Sequence, residues 1–285
     1  QTFNKMDENK NPIMNPEQWS NAVYNNLNTA VKRNRLHILN DLPITDIGEG
    51  WWITPTVFKK YPTLKTVLDV IDNPNLFGGK FYSCPSGWNC AISNKNLFKA
   101  FDMKNKGWTL VNPGSAAGLD SSVAKAVANN ENWFGYYWSP TALVGKYNLI
   151  KLKWGVQWAG SSNWDNCIVR ADCSNPKKTS WVSSLVYTVA NDKFKNKAGF
   201  NAINYLGKRS IPNNKMNEML VYMGENRVTA EITAKRFLKR NENIWREWIS
   251  PGIAKKKPET TNEEEKRQIE QEKKKIADAK KKKKK

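Results

Sequence analysis

Histidine is all but missing: His37 is the only one in 285 residues. A Ser-His-Asp nucleophilic set would have to be built on that single ring, and a histidine-based metal centre needs several. Acidic residues are also scarce, 26 Asp and Glu against 46 Lys and Arg. A glycosidase needs two carboxylates facing each other across a cleft, and the tryptophan-bearing loops considered below hold few. These absences speak against an enzyme, and no catalytic residue, metal site or cofactor is expected. No apolar run approaches the roughly 20 residues of a membrane-spanning helix. The chain opens Gln1-Thr2-Phe3-Asn4-Lys5, without the apolar stretch of an export signal.

Cysteine is sparse but patterned. Cys84 with Cys90, and Cys167 with Cys173, form two pairs with five residues inside each. An even count in matched pairs points to two local disulfides, hence to an oxidising compartment and an export signal that is not in this chain. The rival reading, a four-cysteine zinc site, usually spaces its ligands by about two to four residues and fits less well.

The formal charge is +20. Residues 255–285 carry 14 basic and 7 acidic residues and almost nothing apolar, which makes them a solvated tract, helical or disordered, that ligand binding should not need. That tract also has no aromatic side chains to stack on bases. The lysine and asparagine richness elsewhere fits A/T-biased coding, so nucleic acid is not an expected partner.

Tryptophan is what the chain has in excess, 13 in all. Periodicity predicts a helix over 17–37, a strand at 50–53 and a helix from about Thr63. Strands at 80–83, 108–111 and 133–138 then alternate with helices at 91–102, 119–129 and from Pro140. An irregular stretch at 155–182 holds the second cysteine pair, followed by a strand at 184–189 and helices over 191–206, 213–222 and 227–247. The alternation implies an α/β fold with a parallel layer, and residues 1–16 offer little core material.

Ligands of open α/β sheets sit at the carboxyl ends of strands. Trp88 lies in a strand-to-helix loop and Trp138 at a strand end, while Trp19 is expected near the start of a helix. A single tryptophan is more often core filling than a site. Trp52, Trp245 and Trp248 are read that way, whereas Trp154, Trp158 and Trp164 either cover a cleft or pack the second cysteine loop.

Asn15–Asn21 (NPEQWSN), Cys84–Cys90 (CPSGWNC) and Trp133–Thr141 (WFGYYWSPT) resemble the three box-bearing motifs of glycine betaine/proline betaine-binding proteins of ABC transporters. Gly50–Pro55 (GWWITP) and Val111–Ser115 (VNPGS) follow in the same order, and the resemblance runs from about residue 10 to 254. It implies a type II periplasmic-binding-protein fold, two α/β lobes with a hinge and a cleft between them. The lobes are expected at 1–80 with 183–254, and at 81–182.

The resemblance also implies that Trp19, Trp88 and Trp138 wall an aromatic cage for a quaternary-ammonium ligand. The backbone amides of Trp88 and Asn89 at a helix start would take its carboxylate, which disfavours choline. The ligand would pass to an ABC transporter permease, and the protein would work as a periplasmic monomer. Some family members carry a histidine four residues after the first box tryptophan. Here that position is Val23, and Asn21 or Ser20 is expected to supply a neutral donor. The family's opening strand–helix–strand unit is not found before Trp19, so the chain is expected to lack an N-terminal segment. A carbohydrate-binding protein, stacking sugars on the same tryptophans, is the alternative.

Overall fold

The computed structural model describes residues 2–20, 24–40, 47–182 and 185–250, together with Arg267, Glu270 and Lys274. In chain order the first elements are α1 (Thr2–Asp7), β1 (Met14–Trp19), α2 (Tyr24–Lys32), β2 (Leu36–Ile38) and β3 (Gly48–Ile53). Next come α3 (Pro55–Lys60), α4 (Val67–Ile71), β4 (Lys80–Tyr82), α5 (Asn89–Ala100), β5 (Thr109–Val111), α6 (Ala116–Ala128) and β6 (Phe134–Ser139). The chain continues through α7 (Ala142–Tyr147), β7 (Ile150–Lys151), the short turn α8 (Ser161–Asn163) and β8 (Val186–Asn191). It closes with α9 (Asp192–Lys208), α10 (Asn213–Asn226), α11 (Ala230–Arg240) and α12 (Glu242–Trp245). The charged tract at 255–285 lies outside the described residues apart from the three named above.

Two compact units result: 1–47 with 140–142 and 184–285, and 48–139 with 143–183. The first boundary therefore falls after Ile47 rather than at residue 80. The reason is strand pairing: β3 pairs with β6 and β7, which puts residues 48–53 in the same sheet as β4.

In the first unit β8 is central, antiparallel to β1 on one side and β2 on the other. Residues 17–37 are thus not one helix. Val186–Asn191 offers a buried ladder, and Met14–Trp19 joins it as an edge strand, where a proline is tolerated. Pro16 sits at the register shift between Asn15 and Gln18. Met6, fully buried, packs with Leu27, Ala30, Leu36 and Val189, so the N-terminal stretch does supply core. His37 pairs with Asp192 through Nε2 at 2.5 Å, tying β2 to the start of α9.

The second unit holds a mixed five-stranded sheet in the order β5-β4-β6-β3-β7. Only β5, β4 and β6 run parallel, while β3 and β7 are antiparallel to their neighbours. The parallel layer is therefore three of the five strands, because β3 joins β6 antiparallel. Its core is aromatic: Trp51, Phe81, Phe101, Trp133, Phe134 and Tyr137 are all under 2 % exposed. Gly135 on β6 lets the chain approach β4, since a Cβ there would stand 2.5 Å from the Tyr82 carbonyl oxygen. Trp52 is core, its indole donating to the Tyr137 carbonyl at 2.9 Å.

Candidate functional site

The loop from β4 to α5 carries Trp88. Cys84 pairs with Cys90 across a Cα separation of 6.2 Å, closing the loop on itself. Cys167 pairs with Cys173 in the same way, and no described cysteine is free. Gly87 turns the closed loop at φ +91°, a conformation glycine adopts without strain. Trp88 then takes an extended conformation (φ −88°, ψ 144°) as the residue before α5. The Trp88 amide donates to the Pro85 carbonyl at 3.2 Å. Asn112, after β5, donates to Ser86 Oγ at 2.6 Å and braces the loop from outside. No side chain caps the start of α5, so its first-turn amides, beginning with that of the exposed Asn89, are suited to an outside acceptor.

Trp138 comes from the carboxyl end of β6. Its ring lies 5.6 Å from that of Trp88, with the planes at 68°. Two nearly perpendicular indoles thus form a corner, with Trp88 37 % exposed and Trp138 part-buried. Trp138 is backed by Tyr137, stacked at 4.7 Å, and flanked by Tyr136 at 6.3 Å. The Tyr137 hydroxyl donates to Asp120 at 2.6 Å. The Tyr136 hydroxyl donates to Glu49 Oε1 at 2.6 Å. Burial, and then the charge of Glu49 beside it, push the Tyr136 hydroxyl far above the usual phenol range, so it stays a donor.

Trp19 lies in the other unit, at the end of β1, part-buried, with its indole donating to Glu17 at 3.0 Å. It stands on a strand rather than at a helix start. Ser20 is buried, and its Oγ accepts from the Leu185 amide at 2.9 Å, so its hydroxyl oxygen is engaged in the fold. Asn21 and Val23 lie outside the described residues.

Glu49 was not singled out by the sequence. Its register opposite Trp138 follows only from the β3–β6 ladder. Trp154 and Trp164 belong to packing: Trp154 lies against Trp51 at 5.0 Å, and Trp164 against Trp181 at 5.3 Å. Trp158 touches Trp164 at 5.6 Å and is 40 % exposed. Trp245 and Trp248 pack with Phe237. Among the described residues no cluster of His, Cys, Asp and Glu suits a metal ion, and no helix is long and apolar enough to cross a membrane.

No curated protein gives a significant sequence match. Solved structures do match in fold. The lactococcal glycine betaine-binding protein, closed on glycine betaine, superposes with a TM-score of 0.55 at 17% identity, covering 87% of this chain and 84% of that one. The glycine betaine/L-proline-binding protein of Borrelia burgdorferi gives 0.55 at 13%, covering 88% and 83%. A choline-binding protein of an ABC transporter, in complex with choline, gives 0.53 at 15%, covering 86% and 77%. Residues 2–240 match the family described as the substrate binding domain of the ABC-type glycine betaine transport system. Since that match spans most of the chain, the protein belongs to this family, whose members bind a solute for import and carry out no chemistry on it.

Proposed function

We propose that the protein captures glycine betaine or a close methylated-onium relative in a tryptophan box and hands it unchanged to an ABC permease. The observation that carries this reading is the Trp88–Trp138 corner, 5.6 Å between rings. A trimethylammonium group has no N–H to donate and spreads its charge over methyl groups, so it gives up water more readily than an ammonium. An indole face offers both apolar contact and negative quadrupole, worth about 2 kcal/mol per desolvated contact. Three faces approach the roughly 8 kcal/mol of a micromolar site. Trp19 is the third wall in this reading, on the strength of its motif.

The ligand carboxylate would meet the start of α5. With the Trp88 amide turned to Pro85, the amides of Asn89 and Cys90 are the better donors. Asn21 is the neutral donor in place of the family histidine. The two units would act as lobes that close on the ligand, which favours the closed state by its differential affinity. The protein would do this as a monomer in the periplasm, consistent with the paired cysteines.

Calorimetric titration with glycine betaine, proline betaine, choline, carnitine and dimethylsulfoniopropionate, beside a panel of sugars, tests this function. Saturable micromolar binding of at least one onium compound is expected. Binding of a sugar with no heat from any onium would replace the reading by the carbohydrate one.

A further inference from the structure

Glu49 and Trp138 face each other in the β3–β6 ladder. Side chains opposite one another in an antiparallel pair share a face, with Cβ atoms about 5 Å apart. Tyr136, two residues before Trp138 on β6, points to that same face and holds Glu49 Oε1 at 2.6 Å. The Tyr136 ring in turn lies 6.3 Å from that of Trp138. A carboxylate is therefore fixed beside one wall of the box, and the buried phenol that fixes it keeps its proton.

We infer that Glu49 is a specificity-determining residue of the box, and that it tilts selection toward ligands of net positive charge. The inference rests on the onium-binding reading above. A cation held on the Trp138 face gains the attraction of a nearby carboxylate. A zwitterion gains the same attraction at its onium end but is repelled at its carboxylate end, so part of the gain cancels. Choline, which has no carboxylate to anchor at α5, is compensated by Glu49 for that missing anchor. The differential follows from adding or removing one negative charge at this position, whatever else the carboxylate touches, because Coulomb contributions superpose.

The test compares the complete protein with Glu49→Gln, titrated with choline chloride and with glycine betaine at fixed ionic strength. Glutamine keeps an oxygen for the Tyr136 hydroxyl and removes the charge, exchanging the second oxygen for an amide of the same shape. Choline affinity should fall about tenfold, as expected for one nearby charge in a partly solvated site, while glycine betaine affinity changes less than about threefold. Glu49→Asp, which keeps the charge, should retain the parent's choline-to-betaine ratio; should the Gln variant fold poorly, the parent titrated in rising sodium chloride serves instead, choline affinity being expected to fall more than betaine affinity as the charge is screened. Equal changes for both ligands, or none, overturn the inference and leave the box standing. A parent protein that binds neither ligand overturns the box itself, and this inference with it.

Discussion

The indole N–H of Trp51 donates to the side-chain oxygen of Asn94 across 2.8 Å, with both residues shut off from solvent. Asn94 passes the contact on, donating to Ser83 Oγ at 3.2 Å. These bonds tie the middle of α5 to β3 and to the end of β4, and the first residue before α5 is Trp88. Replacing Asn94 by Leu would bury an unpaired indole N–H, which costs about 1–3 kcal/mol. The expected result is a lower denaturant midpoint, accompanied by weaker betaine binding because the helix that presents Trp88 loses its anchor. Unchanged stability would show that water replaces the asparagine.

The tryptophans of the box can be removed singly. Trp88→Ala and Trp138→Ala should each weaken betaine at least tenfold, on a cation–π contact of about 2 kcal/mol, and Phe should lose less at either site. Trp19→Ala should behave alike if it is the third wall. Parent-like affinity in both Trp88→Ala and Trp138→Ala, measured by calorimetry, removes the corner from the site.

Much of this arrangement can be read from the sequence. The elements carrying Trp88 and Trp138 announce themselves, because β4, α5 and β6 are bounded by Gly, Pro and Cys punctuation and have clear periodicity. Trp19 does not. The segment Met14–Trp19 alternates poorly and contains Pro16, and only its partner Val186–Asn191, far away in the chain, makes it a strand. The periodicity that suggests a helix from residue 17 is, among the described residues, that of Tyr24–Lys32, while Met14–Trp19 is a strand. Glu49 was invisible for a similar reason: nothing local says which residue of β6 a residue of β3 will face. The unit boundary moved for the same cause, since strand pairing is a tertiary decision.

The two disulfides should separate by function. A ring this small stabilises by about 2 kcal/mol at most in the loop-entropy picture. Cys84→Ser with Cys90→Ser should lower the melting temperature modestly and weaken betaine severalfold, because the Trp88 loop loses its preorganisation. Cys167→Ser with Cys173→Ser should cost stability alone. Equal effects on affinity from the two double variants would deny the first loop any special role.

Gly135 is held to hydrogen by its neighbours. An added Cβ would meet the Tyr82 carbonyl oxygen at 2.5 Å and the Trp133 ring at 2.8 Å, and neither is the end of a flexible chain. Gly135→Ala should destabilise by about 2–3 kcal/mol through overpacking, read as a lower unfolding midpoint. A neutral outcome would mean that β4 and β6 can part slightly at no cost.

A pH signature is expected at the start of α4. The Asp69 carboxylate accepts from the Thr66 amide at 2.8 Å and the Lys65 amide at 3.0 Å, while Thr66 Oγ1 accepts from the Asp69 amide. Burial alone would raise the Asp69 pKa, but the hydrogen bonds from Thr66 and Lys65 and the charge of Lys65 outweigh it and hold the group below its usual value. A lowered folded pKa adds stability above the unfolded value, near pH 4, and loses it as pH falls through the folded one. Asp69→Asn should therefore cost about 1 kcal/mol at neutral pH, and the gap between variant and parent should close in acid. A gap that persists at low pH would assign the effect to shape rather than charge.

Five indoles of the second unit stand close enough to pass excitation from one to the next. Trp51, Trp154, Trp181, Trp164 and Trp158 follow one another at ring separations between 5.0 and 6.3 Å. At such distances an excitation absorbed by one ring migrates along the row, and emission comes from the member with the lowest excited state. Trp158, 40 % exposed, is the solvated member at the outer end. Tyr136 lies 6.3 Å from Trp138 and 5.7 Å from Trp181, so the box stands next to this row and an excitation at Trp138 can enter it. A ligand seated at the box should therefore alter emission from indoles that never touch it.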